Sequence, residues 1–97
     1  MDIVLPNKTT ITIYSKSECK NCLIIKDLFA EQNIKYIEIN CDKYLIDNIH
    51  RQEFINKLNI DTSNIIFPIV FDKEKLIGNY KETINFLTNT YKYNDDF

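Results

Sequence analysis

The sequence has 97 residues, of which 44% are hydrophobic and 27% charged, and its formal net charge is −2. This composition is typical of globular proteins and excludes disordered, collagen-like and membrane-spanning classes. We expect one domain over residues 1–97, with a core over about 9–91 and loose ends at 1–8 and 93–97. Positive and negative residues are interspersed, so no basic surface is expected to attract nucleic acid or an anionic membrane. The first residues do not resemble a signal peptide, so we expect a cytoplasmic protein.

The first half of the chain alternates between strand and helix patterns. Residues 9–14 are β-branched and aromatic and predict a strand, and residues 35–40 alternate in the same way. Between them, residues 20–32 contain no Gly or Pro and predict a helix. Its apolar positions are Leu23, Ile24, Leu28 and Phe29. A βαβ unit of this kind places its two strands parallel.

The second half predicts a helix over 45–58, strands over 65–71 and 75–77, and a C-terminal helix from Tyr80 to Tyr91. The inner side of the first of these helices is predicted to contain Leu45, Ile49, Ile55 and Leu58. A hairpin joins the two strands and makes the last one an antiparallel edge. The order β-α-β-α-β-β-α therefore predicts an α/β fold with a mixed sheet.

Cys19 and Cys22 are three residues apart where the first strand passes into the first helix. Their sulfurs lie on one side of the first helical turn, so the spacing permits a reversible disulfide. Helix-start N–H groups and the helix dipole favour a thiolate at Cys19, which we expect to be the nucleophile, with Cys22 as the resolving thiol. Lys16 and Lys20 should lower the Cys19 pKa further, while Glu18 opposes them.

A Cys-x-x-Cys pair is also half of a zinc site. Zinc requires four ligands, and the remaining candidates, Cys41 and His50, do not form a second close pair. We therefore predict no zinc site. Cys41 is expected to be a small buried residue at a strand end, and His50 an exposed residue in mid-helix.

Several motifs in this order resemble the glutaredoxin family, which has a thioredoxin-like fold with a four-stranded sheet flanked by helices. The similar segments are Ile13-Tyr14-Ser15-Lys16, the Cys19 to Cys22 pair, Phe67-Pro68 and Ile77-Gly78-Asn79-Tyr80. The resemblance implies an enzyme that uses glutathione to reduce protein disulfides or glutathione mixed disulfides. Its partners would be glutathione and disulfide-containing or glutathionylated proteins, and we expect a monomer.

The resemblance also implies a glutathione site. Lys16 and Gln52 would bind carboxylates of the tripeptide, and the Phe67 backbone would pair with it like an added strand, next to a cis bond at Pro68. Backbone N–H groups near Gly78 and Asn79 would hold the γ-glutamyl carboxylate at the start of the last helix. The acidic side chain of Glu82 would bind the γ-glutamyl amino group. Lys81, next to it at the start of the same helix, is also assigned to the glutathione site.

Some positions depart from the family pattern and leave alternatives open. Lys20 and Asn21 replace the usual proline and aromatic residue between the cysteines, and Asn79 replaces the second of two glycines. Glutathione affinity is therefore expected to be weaker than is usual in the family. Because relatives without the motif proline tend to hold clusters, a [2Fe–2S] carrier that uses Cys19 and glutathione is one alternative. A thioredoxin-like reductase is another, although the sequence has no Trp.

Overall fold

The computed structural model describes residues 2–61 and 65–90 of the chain. The strands are β1 (Ile11–Ser15), β2 (Tyr36–Asn40), β3 (Ile69–Asp72) and β4 (Lys75–Gly78), and the helices are α1 (Lys20–Glu31), α2 (Asn48–Leu58) and α3 (Tyr80–Thr90), with a short 3-10 helix over Asp42–Tyr44. The predicted element order is confirmed. Within the described residues, no helix has the length and apolarity needed to cross a membrane. The end predicted to be loose at 93–97, and Tyr91, lie outside them.

The four strands form one mixed sheet in the order β2-β1-β3-β4. β1 pairs in parallel with β2, as the predicted βαβ unit requires, and antiparallel with β3, which pairs antiparallel with β4. The thioredoxin-like fold is thereby confirmed. Alternate side chains of β1 enter two buried clusters: Ile13 packs with α1 and α3 residues on one face, and Tyr14 packs against Phe54 of α2 on the other.

The helix α2 begins later than predicted, at Asn48 instead of residue 45. The Asp47 side chain accepts a hydrogen bond from the His50 N–H at 2.8 Å and caps the helix there, while the preceding residues form the 3-10 turn. The buried side of the helix also differs from the prediction. Ile49, predicted to be buried, is 71% exposed, and Phe54 is fully buried in its place.

The strand β3 is shorter than predicted and begins at Ile69 instead of residue 65. The Phe67–Pro68 peptide bond is cis, as the family resemblance implies. Proline has no N–H to donate to a sheet, so pairing starts only after it. Ile66, which was predicted to lie in this strand, is 59% exposed, whereas Phe67 and Pro68 are buried.

Part of the segment predicted to be loose at residues 1–8 is attached to the fold, within the described residues 2–8. The Tyr14 hydroxyl donates to the Val4 carbonyl at 2.7 Å, and the Val4 N–H donates to the Tyr44 hydroxyl at 3.2 Å. Ile3 packs against the same buried cluster. The physical reason is that the two tyrosine rings are buried, and their hydroxyls find polar partners in this backbone.

Candidate active site

Cys19 occupies the N-cap position of α1, at the end of the loop after β1. Its backbone is extended, with φ −115° and ψ 101°, and its sulfur accepts a hydrogen bond from the Cys22 N–H at 3.1 Å. α1 continues for 12 residues, so its first-turn N–H groups and its dipole direct partial positive charge towards this sulfur. A thiolate at Cys19 is stabilised by the same groups.

Cys19 and Cys22 are joined by a disulfide, with their Cα atoms 5.3 Å apart. Cys19 is 9% exposed, whereas Cys22 is only 1% exposed one turn into the helix. An attacking sulfur needs access to its substrate, and of the two residues Cys19 has the greater access. The chain therefore contains a redox-active cysteine pair in which the roles predicted from the sequence fit the difference in exposure.

The loop that leads to Cys19 is tied to the end of the neighbouring strand. Ser17 donates to Asp42 twice, from its N–H at 2.9 Å and from its hydroxyl. These hydrogen bonds, together with the charge of Lys16, lower the pKa of the Asp42 carboxyl. The sequence reasoning missed Asp42. Its position two residues after the end of β2 was a usable signal, since the carboxyl ends of parallel strands meet at one edge of a sheet.

The cis-proline segment contributes a buried wall beside the cysteines. Phe67 belongs to the same buried cluster as Cys19 and Cys22, and its ring stacks on Phe54 with the centroids 6.3 Å apart. The side chain of Phe67 thus faces the protein interior. The resemblance assigns peptide pairing at this position to the main chain, and that role stays a prediction.

Gly78 and Glu82 approach closely at the start of α3. Gly78 has φ +137°, and a Cβ atom added to it would lie 2.6 Å from the Glu82 Cβ, so no other residue fits this position without strain. The Glu82 carboxylate accepts the Asn79 N–H at 3.0 Å, as in a capping box. The predicted carboxylate-binding N–H and the predicted amine-binding carboxylate are therefore bonded to each other.

The side chain of Asn79 makes a connection that the sequence did not predict. Its Nδ2 donates to the Ile66 carbonyl at 2.7 Å and to the Pro68 carbonyl at 3.2 Å. The start of α3 is thereby joined to the segment around the cis bond. Sequence reasoning considered only the backbone of Asn79, because the family residue at this position is glycine and has no side chain.

The remaining predicted binding residues are exposed, and within the described part of the chain no hydrogen bond or ion pair joins them to one another. Gln52 is exposed on α2, where its amide donates to the Asn56 side chain at 3.1 Å. Lys16 and Lys20 are exposed on either side of Cys19, and Lys81 is exposed in the first turn of α3. Their roles towards glutathione stay predictions.

Cys41 is fully buried after β2, as predicted, and desolvation raises its pKa to about 12. His50 lies in the first turn of α2 instead of mid-helix, and its Nδ1 is 2.7 Å from the Asp47 carboxylate. Among residues 2–61 and 65–90, no three His, Cys, Asp or Glu side chains lie close enough together to hold a metal ion. The cluster-carrier alternative, which needs a second chain, stays a prediction.

Comparison with known proteins identifies the family. The glutaredoxin family model matches residues 11–77. This chain therefore belongs to the glutaredoxin family, as its motifs indicate. No curated protein matches the sequence significantly.

Solved structures of glutaredoxins share the fold. Glutaredoxin 1 of Francisella tularensis, complexed with cacodylate, is 23% identical, with coverage of 86% of this chain and 95% of its own and a TM-score of 0.66. Wheat glutaredoxin is 24% identical, with coverage of 90% and 77% and a TM-score of 0.64. A buckwheat glutaredoxin–glutathione complex is 22% identical, with coverage of 92% and 72% and a TM-score of 0.60.

Family membership and the bonded cysteine pair together define the general chemistry. A dithiol at a helix start that closes to a disulfide exchanges two electrons and two protons with another dithiol–disulfide pair. The protein is thus a thiol–disulfide oxidoreductase of the glutaredoxin family.

Proposed function

We propose that this protein uses glutathione to reduce protein disulfides or glutathione mixed disulfides through Cys19 and Cys22. The observation that carries the proposal is the position of Cys19: its sulfur accepts a main-chain N–H at the N-terminus of α1 and is the more exposed of the pair. That environment favours the thiolate, which is the attacking species in disulfide exchange.

The reaction starts from the reduced pair. The Cys19 thiolate attacks one sulfur of the substrate disulfide, a mixed disulfide forms, and the other substrate sulfur leaves as a thiolate that takes up a proton. Either Cys22 or a glutathione thiolate then attacks the mixed disulfide. With Cys22, the substrate is released as a thiol and the Cys19–Cys22 disulfide remains. Two glutathione molecules reduce that disulfide and leave as oxidised glutathione, so two electrons are transferred in total.

The ends of the tripeptide have complementary groups in this chain. Lys16, exposed three residues before the nucleophile, supplies a cation for a carboxylate, and Gln52 supplies an amide donor. At the other end, the bond between the Asn79 N–H and Glu82 is exchanged for two new contacts. The γ-glutamyl carboxylate takes the N–H, and the γ-glutamyl ammonium group pairs with Glu82. The buckwheat glutaredoxin, which has the same fold, has been solved as a complex with glutathione.

The test is a glutathione-coupled assay on a peptide that carries a glutathione mixed disulfide. Wild type, Cys19→Ser and Cys22→Ser are compared, with Cys41→Ser as a matched control that removes a thiol outside the site. We expect Cys19→Ser to lose at least about a hundredfold in rate, because the nucleophile is absent. We expect Cys22→Ser to retain activity on this substrate, since glutathione can resolve the intermediate, and to lose activity on protein disulfides.

The same assay decides against the proposal if its results differ. A wild-type protein whose rate does not depend on glutathione concentration would contradict the glutathione-dependent reaction. A Cys19→Ser variant as active as the wild type would contradict the assignment of the nucleophile. If activity were lost in Cys41→Ser and kept in Cys19→Ser, the reacting thiol would be Cys41 and the proposal would be wrong.

A further inference from the structure

The Asn79 side chain lies between two segments that are far apart in sequence. Its amide nitrogen carries two hydrogens, and its two acceptors, the carbonyl oxygens of Ile66 and Pro68, are 2.7 and 3.2 Å away. These carbonyls lie on either side of Phe67. One side chain therefore holds the main chain both before and after the residue whose backbone is expected to pair with glutathione.

The hydrogen bond to Ile66 fixes more than one oxygen atom. The Ile66–Phe67 peptide is trans, since the cis bond in this segment is Phe67–Pro68. In a planar trans peptide the carbonyl and the N–H point in opposite directions. When Asn79 holds the Ile66 carbonyl, the Phe67 N–H is therefore directed away from α3. The orientation of this donor is set by the bond to Asn79.

We propose that Asn79 is a positioning residue for glutathione: its side-chain amide holds the carbonyls of Ile66 and Pro68 and thereby orients the Phe67 main chain that pairs with the tripeptide. This inference rests on the proposed function and assigns a part of the same site. The side chain acts through the Phe67 backbone, in addition to the predicted role of the Asn79 N–H.

Among residues 2–61 and 65–90, no other hydrogen bond is made to the Ile66 carbonyl. Ile66 is 59% exposed, so its own side chain contributes little packing that would hold the segment in place. Phe67 is anchored through its ring, which leaves rotation of the preceding peptide plane to be restrained by hydrogen bonding. A preorganised donor binds more tightly than one that must be ordered at binding. In this chain Asn79 supplies that order.

The experiment measures the glutathione dependence of Asn79→Ala and Asn79→Gly in the coupled assay. Asn85→Ala is the matched control, because Asn85 is an exposed asparagine on the same helix. A second assay uses dithiothreitol as reductant and a protein disulfide without a glutathionyl group as substrate, so that neither reactant uses the tripeptide site. We expect both Asn79 variants to raise the KM for glutathione about five- to tenfold, the effect of losing one or two modest hydrogen bonds. Asn85→Ala and all dithiothreitol-driven rates should match the wild type.

Each deviation from this pattern has a defined meaning. An unchanged KM in Asn79→Ala would overturn the positioning role while the proposed function stands. An equal loss in the dithiothreitol assay would overturn it too, because the substitution would then act on the cysteines or on folding. A raised KM in Asn79→Ala with a normal KM in Asn79→Gly would also overturn the proposal, because both variants lack the amide and differ only in backbone freedom. A wild-type rate that does not depend on glutathione concentration would instead refute the proposed function, and this inference with it.

Discussion

Two cysteines of this chain lie at comparable places in the fold and have opposite chemical character. Cys19 comes after β1 and Cys41 after β2, and these strands are parallel neighbours whose ends meet at one edge of the sheet. Each cysteine is also the residue directly before a helix. The Cys41 N–H even donates to the Ser15 carbonyl at the end of β1, at 2.8 Å. Location at the strand end alone therefore does not make a thiol reactive.

The two cysteines differ in the helix that each one precedes and in the burial of the sulfur. The Cys19 sulfur accepts an N–H at the start of a 12-residue helix, whereas Cys41 precedes a three-residue 3-10 turn and makes no such side-chain cap. Instead the Cys41 thiol donates to the Ile39 carbonyl at 3.6 Å, and it is fully buried. Burial raises its pKa to about 12. A thiol is reactive where N–H donors and a helix dipole stabilise its thiolate and a substrate can reach it. Of the two cysteines, Cys19 meets these conditions and Cys41 does not.

The largest effect expected from this difference is in alkylation. The pKa of Cys41 is raised from 9.0 to about 12, so its thiolate fraction at pH 7 is about a thousandfold below that of an ordinary cysteine. Burial slows it further. In the reduced protein at pH 7, iodoacetamide should therefore modify Cys19 at least about a thousandfold faster than Cys41. Timed quenching and peptide mass spectrometry measure both rates in one sample.

Unfolding the protein is the control for this measurement. In urea, Cys41 loses its burial and should react like any free thiol. Comparable labelling rates of Cys19 and Cys41 in the folded protein would show that the two thiols do not differ in reactivity as we infer. Faster labelling of Cys22 than of Cys19 would reverse the roles within the pair.

The sequence was informative where the determinants are local. The Cys-x-x-Cys spacing, the strand before it and the helix after it lie within about 20 residues, so the helix-start position of Cys19 could be predicted. The burial of Cys41 was expected from the general behaviour of free cysteines. The contacts of Asp42 with Ser17 and of Asn79 with Ile66 and Pro68 join residues 25, 13 and 11 positions apart. Spacing in sequence does not encode such contacts.

The errors in the fold prediction have the same origin. Ile49 has an apolar side chain, but α2 packs through Phe54, which contacts Tyr14 and Tyr44, and Ile49 lies about 140° around the helix from it. The N-terminal segment looked loose because its residues carry no strand or helix pattern. It is held by hydroxyls of Tyr14 and Tyr44, which belong to the folded core. In both cases a partner outside the local pattern decided the outcome.

A smaller effect is expected when the buried thiol is removed. Cys41→Ala leaves a space in the cluster that contains Tyr14 and Phe54, and we expect the free energy of unfolding to fall by about 1 kcal/mol. Glutathione-coupled activity should stay within about twofold of the wild type, because the thiol takes no part in exchange. Denaturant unfolding of the reduced protein measures the first quantity. A stable variant with lost activity would show that Cys41 is chemically connected to the pair.

The smallest effect concerns Asp42, which is next to Cys41 in sequence and anchors the loop before Cys19. Its hydrogen bonds from Ser17 hold the pKa of its carboxyl below the ordinary value of 3.8. A carboxyl with a lowered folded-state pKa stabilises the fold above its unfolded-state pKa, and the contribution disappears as the pH falls through the folded-state pKa. Asp42→Asn should therefore be slightly less stable than the wild type near neutral pH, and the gap should close below about pH 3.8.

Urea unfolding of both proteins between about pH 3 and pH 7 measures this gap across the range in which the carboxyl titrates. The Ser17→Ala background supplies the control, because it removes the hydroxyl that donates to Asp42. If Ser17 is the cause of the lowered pKa, Asp42→Asn should have a smaller effect in that background than in the wild type. A gap that is independent of pH would show that the Asp42 charge does not anchor the Cys19 loop, and a gap equal in both backgrounds would show that the Ser17 hydroxyl does not contribute to it. The contrast between the two strand ends would then depend on the helix start alone.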